Sequence, residues 1–489
     1  MKVDVLQKHI DEDDFMKMRE DVLSTWPTGK EVDLEEAIEY QKKLPDTKNF
    51  CRVTQKLREE GRTVVFPRAG QPMIEDEIEL NKTLVEAGLP LIPVTTDSYT
   101  RLLQLEKVQQ ALDESAKTGT PMINGYPIIN HGVKNTRRVI EACDAAYNLR
   151  LGGVYAQKLG AEIGFASGIT ALPPSIFQLF GNYHKSVTLA DCIKACQYVF
   201  RLMGYYAERG VIITSDLHGW NPNCVFPLTI HVSTIILSAL IGAEQGVKSI
   251  IPLIEFGGNI AQDLALYNTG KRLTREYLDK FGHKDVLVPG VFANQIPLYP
   301  MPMDQGGAFA YLSYTAFIGS LAGAEAICVR TIDEAAGIPT KEAHAVSYRA
   351  ANWIFNVVRP QEFHFDSKEL DIEEKMAEKE VRSVVDKVIE MGDGDVAAGS
   401  VRAIEAGVLD SPFAGNIHVK DNVMGVRDLN GATRFLEFGD LPMPKEVKEF
   451  HQAKVAEREA KEGIKVDYNV YMKDFWALSK GMIKGAPPY

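Results

Sequence analysis

The chain has 489 residues, of which 45% are hydrophobic and 25% charged, a composition typical of a globular protein with a large buried core. Its 54 basic and 66 acidic residues give a formal net charge of −12 spread along the chain, which argues against nucleic acid as a partner. The charged N-terminal segment 8–20, and the lack of about 18 uninterrupted apolar residues, predict a soluble, cytoplasmic protein that does not enter a membrane.

Cysteines are too few for a disulfide scaffold in so long a chain, and their number suits a reducing compartment. The six cysteines are Cys51, Cys143, Cys192, Cys196, Cys224 and Cys328.

The first 55 residues are polar and have a helical pattern, with breaks at Pro27 and Pro45. We therefore predict that residues 1–55 form a helical arm that precedes the main domain.

From residue 63, short β-branched or apolar runs alternate with stretches of helical pattern. This alternation predicts a parallel sheet, and the number of runs is close to the eight strands of a (β/α)8 TIM barrel over residues 56–358. One of the nine runs is then expected to be misassigned or to lie outside the barrel. The nine candidate strands are 63–66, 91–95, 121–124, 147–149, 163–169, 211–215, 250–254, 286–288 and 326–329.

After Pro360, strand signals become sparse and charged helical segments dominate, for example 372–391 and 444–462. Residues 359–489 are therefore predicted to form a helical extension that wraps the barrel or contacts a partner.

Several common cofactor signatures are incomplete in this sequence. Gly270-Lys271 lacks the earlier glycine of a phosphate-binding loop. Cys192 and Cys196 lack the third cysteine of an iron–sulfur site. Asp216-x-His218 starts like the D-x-H-x-x-G segment of cobalamin-binding modules, but Asn221 occupies the glycine position. We therefore expect no metal site in this chain and no corrin held by it.

Three predicted strand ends carry an arginine: Arg68, Arg101 and Arg150. Active sites of barrel enzymes form at the C-terminal ends of the strands. Three guanidinium groups around one cavity would repel one another unless anions neutralise them, and their planar forks match carboxylates. A dicarboxylic acid substrate is the resulting hypothesis. Pairing of each arginine with a surface acid is the alternative.

Seven segments closely resemble the epsilon subunits of glutamate mutase, also called methylaspartate mutase, and the similarity is collinear from about residue 15 to 485. The segments are 26–34 (WPTGKEVDL), 67–70 (PRAG), 97–101 (DSYTR), 124–127 (NGYP), 243–248 (AEQGVK), 337–343 (GIPTKEA) and 436–439 (LEFG).

This resemblance implies a (β/α)8 barrel that pairs with a small cobalamin-binding sigma-type subunit in a heterotetramer, with self-dimerisation of the large subunit. The cofactor is then adenosylcobalamin, which supplies the radical chemistry of an isomerase, while the protein orients the substrate and excludes water.

Site residues follow from the matching positions of the family. Arg68, Arg101 and Arg150 correspond to the three arginines that bind the substrate carboxylates. Tyr183 corresponds to an active-site tyrosine.

The family's cofactor contacts have matches too. Glu334 and Arg330 match the acid and base at the adenosyl ribose, with Arg330 replacing a lysine. Thr95 and Asn124 match further positions near the cofactor.

One departure concerns the substrate amine. Family members carry a glutamate that receives the substrate ammonium, whereas this chain has Leu172-Pro173-Pro174-Ser175 there and no acid between Glu162 and Asp191. A dicarboxylate without an amine is therefore one hypothesis, and glutamate stays open if an acid from a neighbouring loop reaches the site.

Two rival functions follow from the same residues. A dicarboxylate lyase or aldolase on the same barrel would need a catalytic lysine or a metal site at the strand ends. A non-catalytic paralogue acting as a binding partner of a true mutase would tolerate the altered segment 172–179.

Overall fold

The computed structural model describes residues 3–221, 225–294, 300–337 and 339–486. Cys224 and Ile338, named above, lie outside the described residues. The chain is a mixed α/β protein in which helices predominate and a parallel sheet occupies the centre.

Seven of the nine strands in the described residues run parallel. They order as β1-β7-β6-β5-β4 and as β2-β3, and Ala171 bridges Asn148 of β3 and Thr214 of β4. The remaining two strands form an antiparallel hairpin. The strands are β1 (Val64–Phe66), β2 (Leu91–Thr95), β3 (Ala146–Arg150), β4 (Thr214–His218), β5 (Ser249–Glu255), β6 (Phe292–Asn294), β7 (Ala326–Cys328), β8 (Met424–Arg427) and β9 (Thr433–Glu437).

Helices surround this sheet and cover its N-terminal and C-terminal flanks. Several start at a side-chain cap, because an Asp, Asn or Thr oxygen accepts a first-turn N–H that the helix itself leaves unpaired. The helices are α1 (Glu12–Ser24), α2 (Leu34–Lys43), α3 (Phe50–Glu59), α4 (Ile74–Glu86), α5 (Ser98–Arg101), α6 (Leu105–Thr118), α7 (Ile128–Glu141), α8 (Gln157–Ala166), α9 (Ile176–Gln178), α10 (Leu189–Glu208), α11 (Thr229–Glu244), α12 (Ile260–Lys280), α13 (Gln305–Ala322), α14 (Lys341–Val358), α15 (Lys368–Met391), α16 (Val396–Ala406), α17 (Lys445–Glu462) and α18 (Tyr468–Ala477).

Apolar side chains of the parallel strands form a separate small core that α3 closes from one end. The rings of Phe50, Phe66 and Phe292 meet there, with the Phe66 and Phe292 centroids 5.6 Å apart. Such aromatic contacts add to the free energy of burial. This core forms the floor below the C-terminal ends of the strands.

Three predicted strands are wrong. Residues 121–124 form a turn before α7, where Gly125 has a φ of +112° that a β-strand does not allow. Residues 163–169 lie largely in α8, because an apolar run that is buried on all sides does not reveal its period. Residues 286–288 contribute only a single bridge at Leu287, and the strand there is β6, five residues further on.

The C-terminal region contains a hairpin that the sequence did not indicate. β8 and β9 pair there, with α17 packed against β9 and α18 against β8. The hairpin alternates charged and apolar residues, and its arginines are buried rather than exposed, so its hydrophobic pattern is weak.

Buried ion pairs hold this hairpin to α15. Arg434 on β9 bonds both oxygens of Glu373 on α15, and its Nε donates to Asp428 Oδ2 at 2.8 Å. All three side chains are almost completely buried. Loss of one partner would leave a charge without compensation in a nonpolar interior.

We therefore expect Arg434→Met to lower the free energy of unfolding by about 3–5 kcal/mol, because Glu373 and Asp428 would both lose their cationic partner. Urea denaturation followed by circular dichroism measures this change. The control is Lys445→Ala, which removes an exposed pair with Glu449 and should cost no more than about 0.5 kcal/mol. Equal stability of wild type and Arg434→Met would contradict the argument.

Glu77 on α4 makes stability depend on pH. Burial raises its pKa to about 8, although its Oε2 accepts a hydrogen bond from the Gln71 N–H at 2.6 Å. The folded protein therefore binds a proton at Glu77 between pH 4.5 and 8 that the unfolded chain has released. The contribution of this bound proton to the free energy of unfolding is fully present below about pH 4.5 and declines until pH 8.

Glu77→Gln should remove this decline, because the amide needs no proton. From pH 5 to 8, the variant should gain stability relative to wild type by up to about 1.4 kcal/mol per pH unit in urea titrations. Glu86→Gln provides the matched control, because Glu86 is an exposed carboxylate of the same helix. A Glu77→Gln difference that stays constant across this range would argue that Glu77 is ionised in the fold.

Candidate functional site

A cavity of about 280 Å³ opens at the C-terminal ends of β1, β2 and β3. Seven of the eight site residues predicted from the sequence line it. The eighth, Arg330, does not line it but bonds to one that does, since its Nη1 donates to Glu334 Oε1 at 2.6 Å. The seven are Arg68, Thr95, Arg101, Asn124, Arg150, Tyr183 and Glu334.

The three arginines reach the cavity from different elements. Arg68 lies two residues beyond β1, and Arg150 is the last residue of β3. Arg101 ends the short helix α5, whose start is fixed by Asp97, because the Asp97 carboxylate accepts from Thr100 N and Oγ1. We call Arg68, Arg101 and Arg150 the arginine cluster.

Two glycines after β3 leave room for Arg101. A Cβ on Gly153 would lie 2.4 Å from the Arg101 carbonyl oxygen, and a Cβ on Gly152 would lie 3.0 Å from Arg101 Nε. Gly152 also has a φ of +64°, which favours glycine. Arg101 is therefore packed against the loop that directly follows Arg150.

Arg150 is fixed by a salt bridge, a hydrogen bond and a ring. Its Nη2 donates to Asp216 Oδ2 at 2.6 Å, and its Nη1 donates to His218 Nε2 at 2.5 Å. Its guanidinium lies 4.6 Å from the centroid of the Phe66 ring. Because a guanidinium only donates, His218 must be neutral at Nε2, in agreement with a pKa that burial lowers well below its usual value.

Asp216 and His218 are functional candidates that sequence reasoning assigned to another motif. Both residues belong to β4, and their side chains bond the Arg150 guanidinium. The signal that could have revealed them is their alternation along a buried strand, which points both side chains to the same face of the sheet.

The arginine cluster carries positive charge that protein groups compensate only in part. Within the described ranges, neither Arg68 nor Arg101 makes an ion pair, whereas Arg150 pairs with Asp216. Burial lowers the pKa of Arg101, and the charge of Arg68 lowers it further. Burial and Arg68 also lower the pKa of Arg150, against the opposing effect of Asp216.

Three buried polar atoms on the cavity wall lack a hydrogen-bond partner: Arg101 Nε, Arg150 Nε and Thr95 Oγ1. Buried polar atoms in folded proteins are nearly always bonded, so each such exception needs an explanation. Two of them are cationic donors that the described residues leave unpaired.

Glu334, which pairs with Arg330, forms a polar edge of the cavity. Glu334 Oε1 accepts from Arg330, and Oε2 makes no hydrogen bond to the described residues. His344 lies nearby and bonds Tyr348 Oη at 2.7 Å, and burial lowers its pKa to about 4. Glu334 Oε2 therefore offers an unused hydrogen-bond acceptor on this edge.

Another wall of the cavity comes from the segment after Leu172, in which the sequence departs from the family that it resembles. Pro173, Gln178, Leu179 and Tyr183 line the cavity there. Gln178 ends α9, and a single π-helical turn, Leu179–Tyr183, continues from it. This wall carries no charged side chain.

Glu255 lies beneath the cavity at the end of β5. Its Oε1 accepts from Asn221 Nδ2 and from Asn294 Nδ2, and its side chain is almost fully buried. Burial raises the pKa of Glu255 to about 8, so the carboxyl is mainly protonated at neutral pH. Sequence reasoning did not identify this residue.

The described part of the chain lacks two further features, a cluster of metal ligands and a membrane-spanning helix. No three of His, Cys, Asp and Glu converge there as a metal site would require. Nor does that part contain a helix long and apolar enough to cross a membrane.

Residues 44–487 match the family described as Methylaspartate mutase E chain. Three glutamate mutase epsilon subunits are similar to the chain over nearly its whole length. The protein of Yersinia enterocolitica is 38% identical, with 99% of this chain and 100% of the relative covered. The proteins of Desulfitobacterium hafniense and Treponema denticola are each 36% identical, covering 99% and 98% of this chain and 100% and 98% of the relatives.

The resemblance to glutamate mutase epsilon subunits is confirmed, because the identity and the coverage are high enough to assign the family. The chain belongs to the methylaspartate mutase E chain family, the isomerases that include the glutamate mutase epsilon subunits.

Proposed function

We propose that this chain is the substrate-binding large subunit of an adenosylcobalamin-dependent carbon-skeleton mutase. It rearranges a dicarboxylate, either glutamate to 3-methylaspartate or a related acid, by a radical 1,2-shift. The observation that carries the proposal is the arginine cluster, whose three side chains share one cavity at the C-terminal ends of parallel strands.

The domain around this site is a closed (β/α)8 barrel over residues 56–358, flanked by the N-terminal arm and the C-terminal extension. Support comes from the parallel order β2-β3-Ala171-β4-β5-β6-β7-β1, which has eight members. Just beyond β1, Thr95 N of β2 donates to Ala69 O at 3.1 Å, as closure would require.

Arg68 and Arg101 bind the two carboxylates of the substrate, with Arg150 completing the set. A planar guanidinium can donate two parallel hydrogen bonds to one carboxylate, which fixes the orientation of the acid as well as its position. The fixed position of Arg150 favours the same geometry in every turnover. Tyr183 acts beside the arginine cluster as a hydrogen-bond donor to the bound acid.

The polar edge suits the adenosyl group. Thr95 Oγ1 is buried without a partner, and Glu334 Oε2 is an unused acceptor for a ribose hydroxyl. Arg330 orients Glu334, and Asn124 adds an amide on the same cavity. When bound, adenosylcobalamin supplies the radical chemistry that starts the rearrangement.

The corrin is held by a separate small sigma-type subunit. His218 supports this assignment, because its Nε2 accepts a hydrogen bond from Arg150 and is therefore not available as a cobalt ligand. Asn221 stands where the cobalamin motif has glycine, and its amide bonds Glu255. The relatives' designation as epsilon subunits also points to an assembly of several chains.

Arg101→Gln should lower the affinity for a dicarboxylate by about 10²-fold, because a charge-assisted hydrogen bond to a carboxylate contributes about 1.5–3 kcal/mol. Arg101 has no ion-pair partner among the described residues, so the substitution does not leave a described acidic side chain without its partner. Isothermal titration calorimetry measures the effect. Arg52→Gln, on the exposed face of α3, is the matched control and should bind like wild type.

Reconstitution tests the proposed function directly. The chain, a small cobalamin-binding subunit and adenosylcobalamin are mixed with glutamate and with amine-free five-carbon diacids. An electron paramagnetic resonance signal of coupled cobalt(II) and organic radical is expected with at least one acid. Silence with all of them would favour a non-catalytic paralogue, and cleavage of the acid without a radical signal would favour a lyase.

A further inference from the structure

The charges on the cavity wall do not cancel. Arg150 is balanced by Asp216, and Glu334 is balanced by Arg330. Arg68 and Arg101 make no ion pair with the described residues, so two positive charges of the wall lack a close partner, although acidic groups at longer range, Glu334 and Glu255 among them, raise the pKa of Arg68 against the effect of burial.

Other titratable groups on the wall do not change this sum. His344 is neutral at pH 7, since burial lowers its pKa to about 4. Gln178 is an amide without charge, and its side chain makes no hydrogen bond to the described residues, although only 9% of the residue is exposed.

Nearby acids outside the wall already have bonding partners. Asp97 accepts two hydrogen bonds from Thr100. Glu77 accepts from the Gln71 N–H. Glu255 accepts from two asparagine amides and is mainly protonated.

The undescribed segments add no acid either. Residues 1–2, 222–224, 295–299, 338 and 487–489 contain no aspartate and no glutamate. Among the described residues that line the cavity, Glu334 is the only carboxylate, and its unbonded oxygen Oε2 is the one that the proposed adenosyl contact uses.

We propose that the substrate of this chain is a dicarboxylate whose third substituent is uncharged, so that the substrate is not an amino acid. This inference rests on the proposed function. Two carboxylates neutralise Arg68 and Arg101 one for one. An amino diacid has a net charge of −1, so it would leave one buried guanidinium uncompensated and its own ammonium without a partner.

The wall formed by Pro173, Gln178 and Leu179 is the place for this third substituent. Pro173 and Leu179 offer only apolar contact, and Gln178 offers one amide that can donate or accept a hydrogen bond. A hydrogen atom, a methylene group or a hydroxyl fits these neighbours. An ammonium does not, because it needs several acceptors.

Calorimetric titration of the full chain at pH 7 tests the charge of the substrate. The probes are glutarate, 2-hydroxyglutarate and 2-methyleneglutarate, which carry a hydrogen, a hydroxyl or a methylene group at C2, where glutamate carries its ammonium. At least one amine-free acid should bind ten or more times more tightly than glutamate. Glutamate binding as tightly as the best amine-free acid, or more tightly, would overturn the inference.

Gln178→Glu tests the location, because it adds a negative charge with almost no change of shape. The preference for the amine-free acid over glutamate should fall by at least tenfold. Gln178→Met is the neutral control of similar size, and its preference should stay within about threefold of wild type. Thermal unfolding verifies that both variants are folded. An unchanged preference in Gln178→Glu would show that the substituent faces a different wall and would overturn this placement.

These outcomes separate the inference from the proposed function. If glutamate alone binds and gives the radical signal in the reconstituted complex, the mutase assignment stands and only the uncharged substituent is wrong. If no diacid of either kind binds, the proposed function itself fails.

Discussion

Positive charge that the protein balances only in part is the constraint on which the site depends. Arg68, Arg101 and Arg150 share one cavity, and the charge of Arg68 lowers the pKa of both others. Arg150 pairs with Asp216, whereas Arg68 and Arg101 make no ion pair with the described residues, and only acidic groups at longer range raise the pKa of Arg68. A buried charge without a close partner is unfavourable, and the proposed dicarboxylate would supply the missing negative charge.

The fold holds these side chains in place because each arginine lies at or beyond the C-terminal end of a parallel strand, and these strands pack in an apolar core. The Phe66 ring belongs to that core and also contacts the Arg150 guanidinium, so the floor of the cavity and the charged wall are continuous. Far from this site, the buried pairs of Arg434 with Glu373 and Asp428 fix the C-terminal hairpin on α15. The charged site is thus carried by a rigid frame.

Sequence patterns predicted the parallel strands and the positions of the arginines, since a strand followed by a helix leaves a clear alternation. These patterns failed in α8, because a helix that is buried on all sides shows no hydrophobic period. They also failed for polar contacts between residues that lie far apart along the chain. Asp216 meets Arg150 only because β4 and β3 are brought together through Ala171. The place of Gln178 on the cavity wall could not be predicted from the sequence, because a neutral amide gains significance only when its charged neighbours in the fold are known.

The two glycines after β3 carry a last consequence. Arg101 rests on the backbone at Gly152 and Gly153, so its distance from Arg150 is set by main-chain packing and not by the reach of a flexible side chain. For the proposed dicarboxylate, this packing would favour one separation between the two carboxylates. Acids that are one carbon shorter or longer would then bind less well, without any contact to the carbons in between.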